Sequence, residues 1–204
     1  MAVVLPGSFI FLAHMHTASS AVAHALKKVP GAIVAYNKAK GIGHHATLDQ
    51  VKQVCGDKLT GAEKVFTVVR HPYEVLVDMY LTNRNHLHTR ILERDLGREP
   101  TLKDFIQNWY ELDMMPYMRE HQLFYHDVSV HLRYERLQVE IDTLFRRIPG
   151  APSTIPVNVE SEQMDRDHYT SFYDDATYTL VNELFRDEIV KFGYFFIWTN
   201  NALV

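Results

Sequence analysis

The sequence predicts an α/β fold in which helices cover both faces of a central parallel sheet. Short apolar runs alternate with longer amphipathic segments, and strands that alternate with helices are typical of parallel sheets. The clearest predicted strand is Lys64–Val69, which is apolar and rich in β-branched residues. It runs directly into Arg70-His71-Pro72, and proline suits the first position of a helix. Ligand-binding residues are therefore expected at the carboxyl ends of the strands.

An earlier strand-to-helix step lies between residues 8 and 28. Phe9–Leu12 is apolar and predicts a buried strand. Residues 17–20 have small side chains, three of them with a hydroxyl group, and residues 21–26 favour a helix. A helix that starts just after a strand gathers unpaired N–H groups at the positive end of its dipole, which suits a phosphate. The alternative is a core helix whose Ser and Thr side chains cap its own amides. Both interpretations stay open, because the turn lacks the GxxxxGK[ST] pattern.

The other predicted elements follow the same patterns and form one domain over residues 1–204, without repeats or linkers. Predicted strands cover residues 32–35 and 128–134, and predicted helices begin at or near residues 48, 72, 101, 114 and 137. One long amphipathic helix is predicted over residues 173–193. The irregular, proline-containing segment at residues 149–165 is a candidate cover for a site.

Composition narrows the class of protein. Apolar residues make up 47% and charged residues 23% of 204 positions, which is an ordinary globular mixture. A net charge of −4 gives no global basic field, so neither nucleic acid nor a membrane is an expected partner. The single cysteine, Cys55, excludes an internal disulfide and a Cys-rich zinc site. The apolar runs at the start are too short to span a bilayer, so a complete chain of this sequence is expected to be soluble and cytoplasmic.

Four sequence blocks follow one another along the chain: FLAHMHTASS, FTVVRHPYEVLVDMY, HLRYERL and DEIVKFGYFF. In wording and in order they resemble the sulfotransferases dependent on 3′-phosphoadenosine 5′-phosphosulfate (PAPS). The likeness runs from about Phe9 to Phe196 and is to the carbohydrate O-sulfotransferase branch, which includes heparan sulfate 2-O-sulfotransferase. The resemblance implies a P-loop NTPase-like three-layer sandwich, PAPS as the donor substrate, a sugar hydroxyl as the acceptor and no metal.

In that family the turn after the first strand holds the 5′-phosphosulfate, and the resemblance assigns this role to Thr17, Ala18, Ser19 and Ser20. The family has a lysine just before these residues, which neutralises charge on the bridging oxygen as the sulfonate leaves. Here His16 occupies that position. An imidazole with a pKa near 6.5 would act this way only when protonated, and the adjacent anionic donor would raise its pKa.

The second family block is Arg-x-Pro with a serine eight residues after the arginine, and the arginine and serine bind the 3′-phosphate. Arg70 and Pro72 match this pattern, whereas the serine position is Asp78. A carboxylate there repels a phosphate. The open interpretations are a different donor pose, compensation by an arginine such as Arg84, loss of donor binding, or a solvated helix position for Asp78.

In the 2-O-sulfotransferase relatives the catalytic base is a histidine between these two blocks, and the corresponding segment here contains His44 and His45. A neutral imidazole is a suitable base near neutral pH, and His45 is favoured because it lies closer to a predicted helix start. The alternative is a solvated loop. His14 and Arg166 are further candidate anion contacts.

The predicted function is transfer of a sulfonate group from PAPS to a carbohydrate hydroxyl. The alternative is a sulfotransferase-fold protein that binds a nucleotide or glycan without turnover, since the family lysine and serine are replaced. A P-loop phosphotransferase ranks behind both, because the chain lacks the Walker lysine and an evident Mg²⁺-binding aspartate.

Overall fold

The computed structural model describes residues 1–36, 43, 45–111, 128–148, 156 and 168–197. Its contacts form two compact units: unit 1 comprises Met1–Arg70 and His121–Met164, and unit 2 comprises His71–Glu120 and Asp165–Val204. The expectation of one domain stays a prediction. The predicted helix near residue 114 and the irregular segment at 149–165 lie outside the described residues, apart from Pro156.

The described strands belong to unit 1, and the helices are divided between the units. The strands are β1 (Ala2–Leu5), β2 (Phe9–Leu12), β3 (Ile33–Ala35), β4 (Lys64–Val69) and β5 (Val130–Arg133). The helices of unit 1 are α1 (Ser19–Leu26), α2 (Leu48–Cys55) and α6 (Leu137–Phe145). Those of unit 2 are α3 (Pro72–Thr82), α4 (Leu87–Leu96), α5 (Leu102–Glu111), α7 (Asp175–Leu184) and α8 (Arg186–Phe192).

The five described strands form one mixed sheet in the order β3-β1-β2-β4-β5. β2 pairs parallel with β4, and β4 pairs parallel with β5. β1 is antiparallel to both of its neighbours, β2 and β3. The predicted α/β class with helices flanking a sheet is confirmed, whereas the prediction of a wholly parallel sheet is wrong.

The antiparallel strand arises from a tight hairpin at the start of the chain. Pro6, Gly7 and Ser8 separate β1 from β2, and the amide of Ser8 donates to the carbonyl of Leu5 at 3.0 Å. Gly7 has φ 72°, a left-handed conformation that favours glycine. A connection this short joins only antiparallel strands. The Pro-Gly pair between two apolar runs was a readable turn signal for this hairpin.

The sheet has an apolar core on each face. On one face β2 and β4 pack with α1 and α6, and the buried residues include Phe9, Phe66, Val22 and Phe145. On the other face alternate residues of β1 and β2 pack with α2, including Ile10 and Val51. Phe9, Phe66 and Phe145 meet edge to face with ring centroids 5.3–6.0 Å apart. Burial of the sheet on both faces explains why β2 is continuously apolar.

Unit 2 is helical and has an aromatic core. Phe196 packs against the rings of Tyr73, Tyr173 and Tyr178, with centroids 4.7–5.2 Å apart. The Tyr173 hydroxyl donates to the carbonyl of Tyr73 at 3.0 Å. No helix in the described part of the chain combines the length and the apolar character that a membrane crossing requires.

The single helix predicted over residues 173–193 is wrong: the segment forms α7 and α8, which are separated at Phe185. Phe185 has φ −116° and ψ 19°, outside the helical region, and it is buried. The apolar periodicity continues through the break because both helices bury residues at similar spacing, including Val181 and Phe192. Periodicity alone therefore did not reveal the interruption.

Candidate functional site

The candidate site lies in unit 1, at the edge of the sheet where β2, β4 and β5 end. These three strands run in the same direction, so their carboxyl ends meet at this edge. The chain leaves β2 through residues 13–18, hereafter the β2–α1 turn, and enters α1 at Ser19. Arg70 follows β4 and Tyr134 follows β5. The sheet thus brings the first sequence block, FLAHMHTASS, next to Arg70, which belongs to the second block, FTVVRHPYEVLVDMY.

The backbone of the β2–α1 turn has an unusual conformation. His16 and Ala18 have φ values of 53° and 55°, which are left-handed and rare for residues other than glycine. Left-handed residues among right-handed ones make successive N–H groups converge, and such concave arrangements bind anions. The first amides of α1 continue this arrangement, since they have no partner within the helix. The conformation therefore suits an anion.

The hydroxyl groups of the turn do not cap α1. Ala18 occupies the N-cap position, and no side chain caps the helix there. Thr17 Oγ1 and Ser19 Oγ instead donate to the carbonyl of His14, Thr17 at 3.1 Å. The alternative interpretation, in which Ser and Thr side chains cap the amides of α1, is therefore wrong. These two hydroxyls are committed as donors, so anion binding in this turn depends on the backbone amides and on Ser20, which is exposed.

Every backbone carbonyl from Leu12 to His16 accepts a hydrogen bond from a side chain. The donors are Thr67 to Leu12, His45 to Ala13, Thr17 and Ser19 to His14, the His14 ring to Met15, and Arg70 to His16. These bonds satisfy the negative ends of the local peptide dipoles. The positive N–H ends in the same turn consequently dominate its electrostatic field, which favours a negatively charged ligand.

Arg70 is held by two contacts within unit 1. Its Nη1 donates to the carbonyl of His16 at 3.0 Å. Its Cζ lies 4.1 Å from the centroid of the Tyr134 ring, in the range of a cation–π interaction. The guanidinium charge is therefore fixed next to the β2–α1 turn.

His45 lies beside the same turn, just before α2. Thr47 starts that helix with a capping box, in which Thr47 and Gln50 exchange hydrogen bonds of 2.9 and 3.3 Å. His45 Nδ1 lies 3.0 Å from the carbonyl oxygen of Ala13. A carbonyl only accepts, so Nδ1 carries the proton, and the neutral ring then has its lone pair at Nε2. This tautomer is the one that can take a proton at Nε2.

His14 is buried and uncharged at neutral pH. Burial lowers the pKa of His14 to about 4, its hydrogen bond to the carbonyl of Met15 opposes this effect, and the nearby His45 and His16 lower the pKa further. A neutral His14 contributes no positive charge to an anion site. His14 and His16 belong to this turn and His45 donates to its Ala13 carbonyl, so the structure gathers three histidines here.

The remaining predicted site residues lie elsewhere or outside the described residues. Asp78 is in α3 of unit 2 and is buried, so the interpretation of a solvated helix position is wrong. Arg84 forms an ion pair with Glu99 at 2.5 Å. His44 and Arg166 lie outside the described residues.

Two residues at this edge received no role from the sequence. Thr67 is fully buried in β4, and its hydroxyl donates to the carbonyl of Leu12 at 2.7 Å, which joins β4 to the end of β2. Tyr134 supplies the ring that contacts Arg70. The sequence did contain a signal for Tyr134: like Arg70, it lies at the carboxyl end of a predicted strand. If the two strands are parallel neighbours, both residues lie at the same edge of the sheet.

Among the described residues no group of three His, Cys, Asp or Glu side chains is arranged to hold a metal ion. No protein-family model, curated protein or solved structure matches the chain. Function is accordingly inferred from the residues of this chain and their geometry.

Proposed function

We propose that this protein is a sulfotransferase that moves a sulfonate group from PAPS to a hydroxyl of a carbohydrate acceptor. On this proposal unit 1 is the nucleotide-binding part of a P-loop-like sandwich, and the β2–α1 turn with the start of α1 holds the 5′-phosphosulfate. The observation that carries the proposal is the turn itself: its carbonyls are bonded to side chains, two of its residues have left-handed backbone conformations, and a guanidinium is fixed beside it.

The residues around the turn fit a phosphosulfate ligand in charge and in size. Thr17, Ala18 and Ser19 have small side chains, so an anion can approach the backbone closely. Arg70 adds a permanent positive charge with planar donors, which is well suited to phosphate and sulfate groups.

The proposed chemistry requires a base and a cation near the transferred group. PAPS supplies an already activated sulfonate. His45 Nε2 accepts the proton of the acceptor hydroxyl, since its Nδ1 is committed to the carbonyl of Ala13. Protonated His16 and the turn amides stabilise the negative charge that builds on the departing phosphate. His16 is half-buried, so solvent protons reach its ring.

The first test is calorimetric titration of the protein with 3′,5′-ADP, the desulfated product of PAPS, followed by transfer assays with radiolabelled sulfate and a panel of glycans. Micromolar binding with transfer is the expected result. An Arg70→Ala variant should bind 3′,5′-ADP at least about tenfold more weakly, because a charge-assisted contact contributes about 1.5–3 kcal/mol. Absence of 3′,5′-ADP binding to the unaltered protein contradicts the proposal.

The second test addresses the base. His45→Ala should reduce turnover by about 10²- to 10⁴-fold, the usual contribution of a general base, while 3′,5′-ADP still binds. His24→Ala, a change on α1 that lies outside the turn, is the matched control and should keep full turnover. Full turnover in His45→Ala with bound donor excludes His45 as the base.

A second candidate function, nucleotide or glycan binding without turnover, is favoured by two residues. His16 replaces a lysine that the sulfotransferase family uses, and Asp78 is a buried carboxylate where that family has a serine. Binding of 3′,5′-ADP without transfer to any glycan at pH 5.5 or pH 7.5 is the result expected of such a protein.

A further inference from the structure

An aromatic ring packs against the guanidinium that lies beside the β2–α1 turn. The Cζ atom of Arg70 is 4.1 Å from the centroid of the Tyr134 ring. Tyr134 is only 9% exposed and belongs to the apolar core formed by α1, α6 and the sheet. A cation–π contact that is largely removed from water is stronger than one at the surface.

The sheet itself brings these two side chains together. β4 and β5 are parallel neighbours, and Val69 is in register with Arg133. The next residue on each strand is Arg70 on one and Tyr134 on the other, so the two side chains leave the sheet at the same level. Tyr134 also begins the 3₁₀ turn Tyr134–Arg136 that leads into α6, which anchors its backbone.

Arg70 at the same time donates from Nη1 to the carbonyl of His16. The guanidinium contacts the Tyr134 ring with one face and the turn with one edge. These contacts restrict a long side chain that otherwise samples many rotamers. We propose that Tyr134 is a positioning residue for the anion site: its ring holds the Arg70 guanidinium against the β2–α1 turn before the ligand arrives. This inference rests on the proposed function, and it adds that Arg70 serves the ligand through a preorganised contact with the turn.

Preorganisation has a measurable consequence. In a protein without the ring, the ordering of Arg70 takes place only when the anion binds, so affinity falls for phosphorylated ligands and not for the nucleoside alone. The ring acts through the face of its π-system, and phenylalanine retains that face.

The experiment compares Tyr134→Leu and Tyr134→Phe with the unaltered protein in calorimetric titrations with 3′,5′-ADP and with adenosine. Tyr134→Leu should weaken 3′,5′-ADP binding by about threefold to thirtyfold, the range that a cation–π contact implies, and should not alter the response to adenosine. Tyr134→Phe should restore affinity to within about twofold of the unaltered protein. Phe145→Leu, a change at a fully buried ring of the same core, is the control for general loosening and should leave affinity unchanged.

A double-mutant cycle separates positioning from structural support. In an Arg70→Ala background, Tyr134→Leu should cause no further loss of 3′,5′-ADP affinity, because there is no guanidinium left to position. Tyr134→Met, which fills similar space without a ring, replaces Tyr134→Leu if circular dichroism shows that the leucine variant is unfolded. Equal affinity in the ring-less variant, or an equal loss in both backgrounds, overturns the inference and leaves the proposed function standing. Failure of the unaltered protein to bind 3′,5′-ADP overturns both.

Discussion

At the scale of single residues, Ala18 in the β2–α1 turn has a strained, left-handed backbone conformation in a position where glycine would be unstrained. Ala18 has φ 55° and is almost fully buried. A left-handed residue with a Cβ costs roughly 1–2 kcal/mol relative to the right-handed conformation. Glycine avoids this cost, yet the chain has alanine at the N-cap position of α1. Strained backbone of this kind is concentrated at binding and catalytic sites.

Glycine substitutions at two alanines of this segment should therefore have different effects on stability. Ala18→Gly removes the strain, whereas Ala23→Gly, in the middle of α1, costs about 1 kcal/mol of helix propensity. We expect the unfolding free energy of Ala18→Gly to exceed that of Ala23→Gly by at least about 1 kcal/mol in urea denaturation. Equal losses in the two variants contradict a strained turn.

At the scale of elements, a single carboxylate joins the β1–β2 hairpin to the start of β4. Glu63 accepts from the amides of Gly7 at 2.7 Å, Thr60 at 2.8 Å and Gly61 at 2.9 Å. These bonds and the Thr60 hydroxyl lower the pKa of Glu63 to about 2, although burial opposes the shift. The hairpin is where the fold departs from a parallel sheet, so this carboxylate supports the one antiparallel strand of the described sheet.

Loss of this carboxylate should destabilise unit 1. Glu63→Gln retains the shape and removes the charge, and we expect it to lower the unfolding free energy by about 1 kcal/mol, a figure reduced for solvent screening. Since the folded pKa lies below the usual 4.5, the stabilisation is complete above pH 4.5 and is lost as the pH falls towards 2. Denaturation curves at pH 3 and pH 7 should therefore differ less in Glu63→Gln than in the unaltered protein. Glu183→Gln, on an exposed helix position, is the control and should keep the full pH dependence.

At the scale of the whole molecule, the two units contain buried ionisable groups with opposite pH dependence. His14 in unit 1 has its pKa lowered to about 4 by burial. Glu188 in unit 2 has its pKa raised to about 8, again chiefly by burial, while Lys191 opposes the shift and Asp187 adds to it. The Oε1 atom of Glu188 has no hydrogen-bond partner within the described part of the chain, which agrees with a protonated acid.

The direction of each pH effect follows from a comparison of the pKa in the folded protein with the pKa in the unfolded chain. An unfolded histidine binds its proton near pH 6.5, so acid between pH 6.5 and 4 favours unfolding of unit 1. An unfolded glutamate loses its proton near pH 4.5, so a rise from pH 4.5 to 8 favours unfolding of unit 2. Hydrogen exchange followed by mass spectrometry should show unit 1 peptides losing protection as the pH falls from 6.5 to 4, and unit 2 peptides losing protection as it rises from 4.5 to 8.

Glu188→Gln tests this expectation directly. The amide is neutral at every pH, so the variant should be more stable than the unaltered protein at pH 8, by on the order of 2 kcal/mol, with little difference at pH 5. Asp187→Asn, a change at the exposed neighbouring position, is the control and should have a much smaller effect. No gain at pH 8 in Glu188→Gln means that the folded protein accommodates the charged carboxylate.

The sequence predicted much of the strand and helix pattern because local signals and tertiary packing agree there. β4 has the predicted bounds, Lys64–Val69, and α6 begins at the predicted residue, Leu137. The helices expected at residues 48 and 72 begin there, α2 at Leu48 and α3 at Pro72. The break at Phe185 was missed because burial on a common face preserves helical periodicity across two helices.

For the candidate site, the sequence indicated the residues of one turn and Arg70 but not how they are held. It identified the β2–α1 turn through small residues between a strand and a helix, a pattern that depends only on neighbouring positions. Tyr134 was missed because its contact with Arg70 joins residues 64 positions apart, and no local pattern records such a pair. The roles of His16, His45 and Asp78 as ligand-binding or catalytic residues stay predictions.

By itself the sequence determined several strands and helices, β4 and α6 among them, and where an anion site could form, because propensity, capping and periodicity act between neighbours in the chain. Only the tertiary structure decided that β1 runs antiparallel, that the carbonyls of Leu12, Ala13 and His16 accept hydrogen bonds from distant segments, and that His14 is buried without charge. These features depend on strand order, which sets the distances between residues far apart in sequence. Hydrogen bonds, cation–π contacts and desolvation all vary with those distances.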